Sequence, residues 1–291
     1  MSNVVINPYK FGVAADVRYI TKWTLTDPSD LVVKLWNPTG TISNSYDVDW
    51  GDSSEDTGVT TADKTHTYAS TGTYEVKITG QFAGLQMGRA SAADRNKLVE
   101  FSNWGTTQIN GLYQMFYYCI NMVYAATDAP DLTNLTATNG TQLRQTFQHT
   151  ASVTMDLSGW TNTGNITASM YITFANMTNL ETLNLTGWDL SNITSMQNAL
   201  STTGNPTTGC TFTLPSLTLT SCTDFRDCFI NAKINTIDVS GWTLKTSGID
   251  CTNMFYSIDA KTGGTITLDL STWNNTSGII KMYQFFRSSP D

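Results

Sequence analysis

Seven times along this chain a short alternating phrase ends on a bulky apolar anchor. The anchors are Trp104, Leu135, Trp160, Trp188, Leu217, Trp242 and Trp273. Subtracting neighbouring numbers gives spacings of 31, 25, 28, 29, 25 and 31 residues. Three residues before each anchor stands Phe101, Leu132, Leu157, Leu185, Leu214, Val239 or Leu270. A second landmark follows 12 to 14 residues after each: Phe116, Phe147, Phe174, Leu200, Phe229, Phe255 and Phe286. Two apolar columns at fixed phase mean stacked supersecondary units, because one unit cannot bury its apolar face alone.

Each unit is legible in outline. Thr182-Leu183-Asn184-Leu185-Thr186 alternates polar and apolar, the pattern of a short strand with one buried face. Gly187 then permits a bend that a side chain would hinder. SNITSMQNAL, Ser191 to Leu200, offers Ser or Asn as an N-cap, with Ile193, Met196 and Leu200 at helical spacing. The predicted unit is therefore a strand, a corner and a short helix or 3-10 turn, stacked into a leucine-rich-repeat-like solenoid.

The phrases LETLNLTGWDLSNITSM and QMFYYC resemble the BspA-like leucine-rich repeat of mycoplasma and other bacterial surface proteins. The resemblance covers about residues 97–287; the second and fifth repeats are degenerate. It implies adhesion rather than chemistry. The N-terminal third has another grammar. SYDVDWGDSSEDTG and THTYASTGTYEVKIT alternate on either side of a Gly/Asp/Ser turn, the pattern of paired strands. Trp50-Gly51-Asp52 and His66-Thr67-Tyr68 through Gly72-Thr73-Tyr74 and Val76 resemble a PKD domain, which implies an Ig-like β-sandwich acting as spacer or adhesive module. Ser53 stands where that family usually has Gly. The expected fold is thus mainly β with short helices. An Ig-like sandwich is followed by a seven-coil solenoid with a parallel sheet on one side and short helices or 3-10 turns on the other. The expected boundaries are a docking segment at 1–18, the sandwich at 19–84, a linker at 85–96 and the solenoid at 97–291.

Composition narrows the function. Net charge is −8, and charged residues are only 14% of the chain. Such a chain is a poor partner for nucleic acid or anionic membrane, which need clustered Lys and Arg. No apolar run approaches the roughly 18 residues of a membrane helix, and MSNVVINPYKFGVAA has no basic stretch leading into a long apolar one, so no secretory leader is expected. Five cysteines, an odd number without CxxC, read as buried thiols rather than a disulfide framework. Residues 101–291 hold one His, His149, and one Glu, Glu181. That is too few titratable groups for acid–base catalysis, so no enzyme and no cofactor are expected. Asp47, Asp49 and Asp52 cluster with Glu55 and Asp56. A Ca²⁺ site there is the lesser reading, since the spacing is not that of an EF-hand and turn capping explains the residues.

Recognition is expected on the residues that alternate outward. Four before the anchors stand Glu100, Asp131, Asp156, Asn184, Thr213, Asp238 and Asp269; two before stand Ser102, Thr133, Ser158, Thr186, Pro215, Ser240 and Ser271. In register these form columns about 4.8 Å apart. Such columns would either engage sugar hydroxyls or a cationic partner, or form an internal ladder with each Asp accepting from a neighbouring Ser, Thr or backbone N–H. Asn7, Pro8, Tyr9 and Phe11 resemble the opening phrase of tailed-phage structural proteins, which implies docking on a larger particle. Met282, Tyr283, Phe285 and Phe286 are expected to leave an apolar end for a partner or a second copy. Together these give a non-enzymatic virion surface protein, a head decoration or fibre, that adheres to host surfaces or glycans. A tail-fibre receptor-binding protein and a secreted or surface-attached bacterial adhesin are the alternatives.

Overall fold

The computed structural model describes residues 16–38, 45–61, 63–107, 109, 111–133, 135, 143–214, 217–239, 241–260 and 279–287. The N-terminal unit contains β1 (Tyr19–Leu25), β2 (Val32–Leu35), β3 (Ser45–Asp49), β4 (Glu55–Val59), β5 (Lys64–Thr67) and β6 (Gly72–Gln81). Strands β4, β3, β6 and β1 run antiparallel in that order, and β2 pairs with β5 in a second sheet. Alternation places Tyr19, Trp23, Tyr46, Val48, Val76 and Ile78 inside, where Val33 and Leu35 of the second sheet join them.

The sheet does not stop at the end of this unit. β7 (Leu98–Asn103), the first solenoid strand, pairs antiparallel with β1, and β8 (Val123–Tyr124) pairs parallel with β7. Residues 85–96, expected to link two modules, are packed between them. A 3-10 turn at Met87–Arg89 is followed by α1 (Ala92–Lys97), whose N-cap Ser91 accepts from the Asp94 N–H. Gln86 donates to the Trp36 carbonyl at 2.6 Å, and Met87 to Met115 at 3.2 Å, so this stretch is bonded to both neighbours. Lys97 Nζ reaches Asp30 Oδ1 at 2.7 Å and the Val32 carbonyl at 2.8 Å. One core runs through both parts: the Tyr19 ring lies 5.2 Å from Phe82 and 5.1 Å from Phe101.

Beyond β8 come β9 (Thr154–Asp156), β10 (Thr182–Asn184), β11 (Cys210–Thr213), β12 (Thr218–Leu219), β13 (Lys233–Asp238), β14 (Thr243–Leu244), β15 (Ile249–Asp250), β16 (Asp259–Ala260) and β17 (Ile279–Lys281). β9, β10, β11, β13 and β16 stack as a parallel five-stranded sheet, one strand per coil. The predicted solenoid and its parallel sheet are therefore present. The seventh anchor, Trp273, lies outside the described residues.

The wall facing that sheet differs from expectation. Where short helices or 3-10 turns were expected, the chain makes consecutive β-turns. In residues 143–150, Thr146 and Thr150 close turns onto Leu143 and Phe147, both at 3.2 Å. The alternate N–H groups of Gln145, Phe147 and His149 donate to Tyr171, Thr173 and Ala175 of the next coil, at 3.0, 2.9 and 3.1 Å. The ribbon needs left-handed residues four apart: Gln145 and His149, then Ile172 and Asn176, Asn198 and Thr202, Asp227 and Asn231, Asn253 and Ser257. A helix would spend its hydrogen bonds within one coil. The ribbon spends half of them on the next coil, and Asn tolerates the left-handed region. Side-chain caps open several of the ribbons: Ser169 Oγ accepts from Tyr171, Ser195 Oγ from Gln197, and Asp250 Oδ1 from Thr252. Inside, Phe147 stacks on Phe174 at 5.5 Å and Phe229 on Phe255 at 5.1 Å, the second apolar column.

A candidate recognition groove on the strand face

The outward column is in register over four coils. Asn184 stands opposite Asp156 and Thr213, and Thr213 opposite Asp238. Most of its hydrogen bonding is internal. Asp156 Oδ1 accepts from Ser158 N at 3.1 Å, Ser158 Oγ at 2.7 Å and Asn184 Nδ2 at 3.0 Å. Asn184 Oδ1 accepts from Thr186 N at 3.0 Å and Thr186 Oγ1 at 2.6 Å. The Ser158 side-chain and backbone hydrogen bonds hold the Asp156 carboxyl below its ordinary pKa, and Thr133 does the same for Asp131. Asp238 is exposed at the far end of the described column and is also partnered. Ser240, Asp269 and Ser271 lie outside the described residues, as do Asn7, Pro8, Tyr9 and Phe11.

Two expected members stand elsewhere. Glu100 faces the N-terminal unit, ion-paired to Lys22 Nζ of β1 at 2.7 Å, because β7 is the strand that joins the two sheets. Asp131 is displaced because the second coil is out of phase: Tyr124, not Leu132, stands opposite Phe101. Asp131 caps its own Thr133 instead, and the Leu132 carbonyl accepts from Asn165 Nδ2 at 3.1 Å.

That phase shift opens the strand face. The six-stranded sheet ends at β8 and the five-stranded sheet begins at β9. Between them lies a groove of about 440 Å³ lined by Tyr124, Asp128, Thr154, Asp156, Ser158 and Trp160, with Ala125, Ala126, Thr127 and Gly159 completing it. Trp104 and Trp160 pack edge to face at 5.3 Å beneath it. Tyr124 Oη accepts from Trp104 Nε1 at 2.9 Å and from Trp160 Nε1 at 3.4 Å. Burial pushes the Tyr124 phenol up to about 12, so it remains a neutral hydroxyl. The Asp128 carboxylate accepts from the Trp104 N–H at 3.0 Å and the Gly105 N–H at 2.7 Å, which fixes it at the rim. The groove thus offers two carboxylates, several hydroxyls and an aromatic floor. This chemistry accepts hydrogen bonds from a polyhydroxylated ligand. Tyr124, Asp128 and Thr154 were missed from the sequence; the irregular 31- and 25-residue spacings around Leu135 were the available signal.

The other expected sites resolve differently. Asp47, Asp49 and Asp52 each serve a separate donor: Gly58 N at 2.7 Å, Gly51 N at 2.9 Å, and Ser54 N at 3.0 Å together with His66 Nε2 at 2.8 Å. Among the described residues no three side chains of metal-ligating type converge. At the far end, Met282, Tyr283 and Phe286 are 51, 69 and 57% exposed. Phe285, expected beside them, is 5% exposed and belongs to the core, because successive ribbon residues alternate in and out of the coil.

A family profile described as "Mycoplasma protein of unknown function, DUF285" matches residues 86–210 and again residues 168–291. The chain belongs to this family. The two matches overlap within the repeats and together span the 3-10 turn, α1 and the solenoid, which agrees with the BspA-like repeat resemblance. No curated protein and no solved structure matches this DUF285 chain.

Proposed function

We propose that this DUF285 chain is a non-enzymatic surface protein that adheres to host-surface glycans through the strand face of its solenoid. The observation that carries this reading is the groove between β8 and β9, where Asp128, Thr154, Asp156 and Ser158 surround Tyr124 and Trp160. Carbohydrate sites combine an apolar aromatic surface with a few placed polar groups. The N-terminal unit acts as a PKD-like spacer. In support, the Trp50 ring stacks on His66 at 4.8 Å, and Tyr68 Oη donates to the Trp50 carbonyl at 2.8 Å. A Cβ on Gly51 would lie 2.6 Å from the Glu75 carbonyl, which explains why glycine follows Trp50. In this reading residues 7–11 dock the protein on a virion, as head decoration or fibre, and the exposed Met282, Tyr283 and Phe286 meet a partner or second copy. A bacterial surface adhesin is the second reading, favoured by the mycoplasma origin in the family description.

The test is binding of the full chain to an array of neutral hexose polymers, followed by titration of the best one. Asp156→Ala and Thr154→Val each remove groove hydrogen-bonding groups, and a charged hydrogen bond is worth roughly 1.5–3 kcal/mol. Affinity should fall about tenfold or more for Asp156→Ala. Binding that survives both substitutions, or an array with no binding, removes the groove from consideration. Gold-labelled antibody to the chain then separates virion heads, tail tips and bacterial cells.

A further inference from the structure

The turn-ribbon wall carries a surface of different chemistry. Arg95 of α1 lies 5.5 Å from the Tyr117 ring centroid and 5.9 Å from that of Tyr118. Tyr118 in turn lies 4.1 Å from His149 on the next coil. Arg144 lies 4.7 Å from Tyr171, one coil further on. The Gln114 amide donates to Gln145 at 2.9 Å, knitting the first two coils together beside these rings. Both arginine Nε atoms are buried without a hydrogen-bond partner among the described residues, so each guanidinium has unused donor capacity.

These two arginines differ from three others. Arg18, Arg89 and Arg226 are neutralised by Asp16, Asp63 and Asp224. Arg226 occupies the ribbon position equivalent to Arg144, since the Asn198 N–H bonds to the Arg226 carbonyl as the Gln114 N–H bonds to that of Arg144. Asp224 stands two residues before Arg226; Gln142 stands two residues before Arg144. Among the described residues neither Arg95 nor Arg144 has an ion pair, and the partners they do have are tyrosine rings. In a chain of net charge −8, two such cations on one wall are positions where an anionic group would be attracted. Burial lowers the His149 pKa, so at neutral pH its ring is an uncharged plane between them.

We propose that Arg95, Tyr117, Tyr118, Arg144, His149 and Tyr171 form a second site, which binds a carboxylated saccharide. The guanidinium fork matches a carboxylate in two parallel hydrogen bonds, and the rings supply flat faces for the apolar face of a pyranose. Neutral sugars satisfy only the rings, and acidic peptides only the arginines.

The experiment is calorimetric titration of the full chain with trigalacturonate, with its methyl ester, and with poly-glutamate as competitor. Trigalacturonate should bind, the ester should bind on the order of tenfold or more weakly, and Arg95→Gln and Arg144→Gln should each lose a similar factor. Asp156→Ala, in the strand-face groove, should leave this affinity unchanged. That arm separates failure of this site from failure of the groove. Absence of saturable binding, equal binding of the ester, displacement by poly-glutamate at equal carboxylate concentration, or an equal loss in Asp156→Ala would each overturn the proposal. Should a variant unfold, saturation-transfer NMR on the unaltered chain decides: transfer from tyrosine ring protons to the sugar is expected, and its absence overturns the site.

Discussion

At the scale of single residues, the recurring tryptophan is explained by its N–H as much as by its bulk. Trp188 Nε1 donates to the Leu157 carbonyl at 2.8 Å, and Trp242 Nε1 to the Leu214 carbonyl at 2.9 Å. Each indole therefore satisfies a buried acceptor on the coil before it while contributing up to about 3 kcal/mol of apolar burial. Leucine at positions 135 and 217 fills space without that bond. Ile172 is the contrary case. It sits at φ 57°, in a left-handed position where equivalent coils place Asn198, Asp227 and Asn253. A β-branched side chain there is strained by about 1–3 kcal/mol. Ile172→Asn should therefore raise the unfolding free energy by about 1 kcal/mol, seen as a higher denaturant midpoint with unchanged slope. A lower midpoint would mean that the isoleucine's packing outweighs its backbone strain.

At the scale of elements, carboxylates cap turns two residues further along their own coils, and this gives the solenoid a pH signature. The side-chain and backbone hydrogen bonds of Thr133, Ser158 and Ser191 lower the pKa values of Asp131, Asp156 and Asp189. A carboxylate lowered on folding contributes stability that is present above its unfolded pKa of about 3.9 and is lost as pH falls through the folded value. Stability should accordingly drop below about pH 4. Asn184 shows that an amide accepts equally well at this position, bonding Thr186 N at 3.0 Å. The triple variant with Asn at 131, 156 and 189 should lose less stability between pH 6 and pH 3 than the parent, measured by urea unfolding at each pH. An identical acid limb in parent and variant would show that the caps do not set it.

At the scale of the whole molecule, the N-terminal unit is the solenoid's cap. A solenoid needs its first coil covered, and β1 covers β7 through paired backbone while Tyr19 packs against Phe101 and Trp104. Residues 97–291 expressed alone would expose that strand edge and Phe101. They should elute as aggregate, or lose cooperative melting by circular dichroism, whereas the full chain melts cooperatively. A monomeric, cooperatively folding 97–291 fragment would show that the N-terminal unit is an appended module instead.

Much of this was written in the chain. The period, the buried anchors, the strands β9, β10, β11 and β13, and the register of Asp156, Asn184 and Asp238 all follow from alternation, because side chains two apart must share a face. The groove residues Asp156 and Ser158 were therefore legible as outward positions. Their companions Tyr124, Asp128 and Thr154 were not. Apolar residues at Leu132 and Leu135 mimic the repeat, and only backbone pairing with β7 selects Tyr124 as the true strand residue. Glu100 likewise reads as one more outward acid until β1 arrives to pair with it. The turn ribbon was hidden for a related reason. Apolar residues three and four apart suit a helix and a run of β-turns alike, and the choice rests on hydrogen bonds to a neighbouring coil. Local pattern determines which face of each segment is buried; pairing between distant segments decides what that face is buried against.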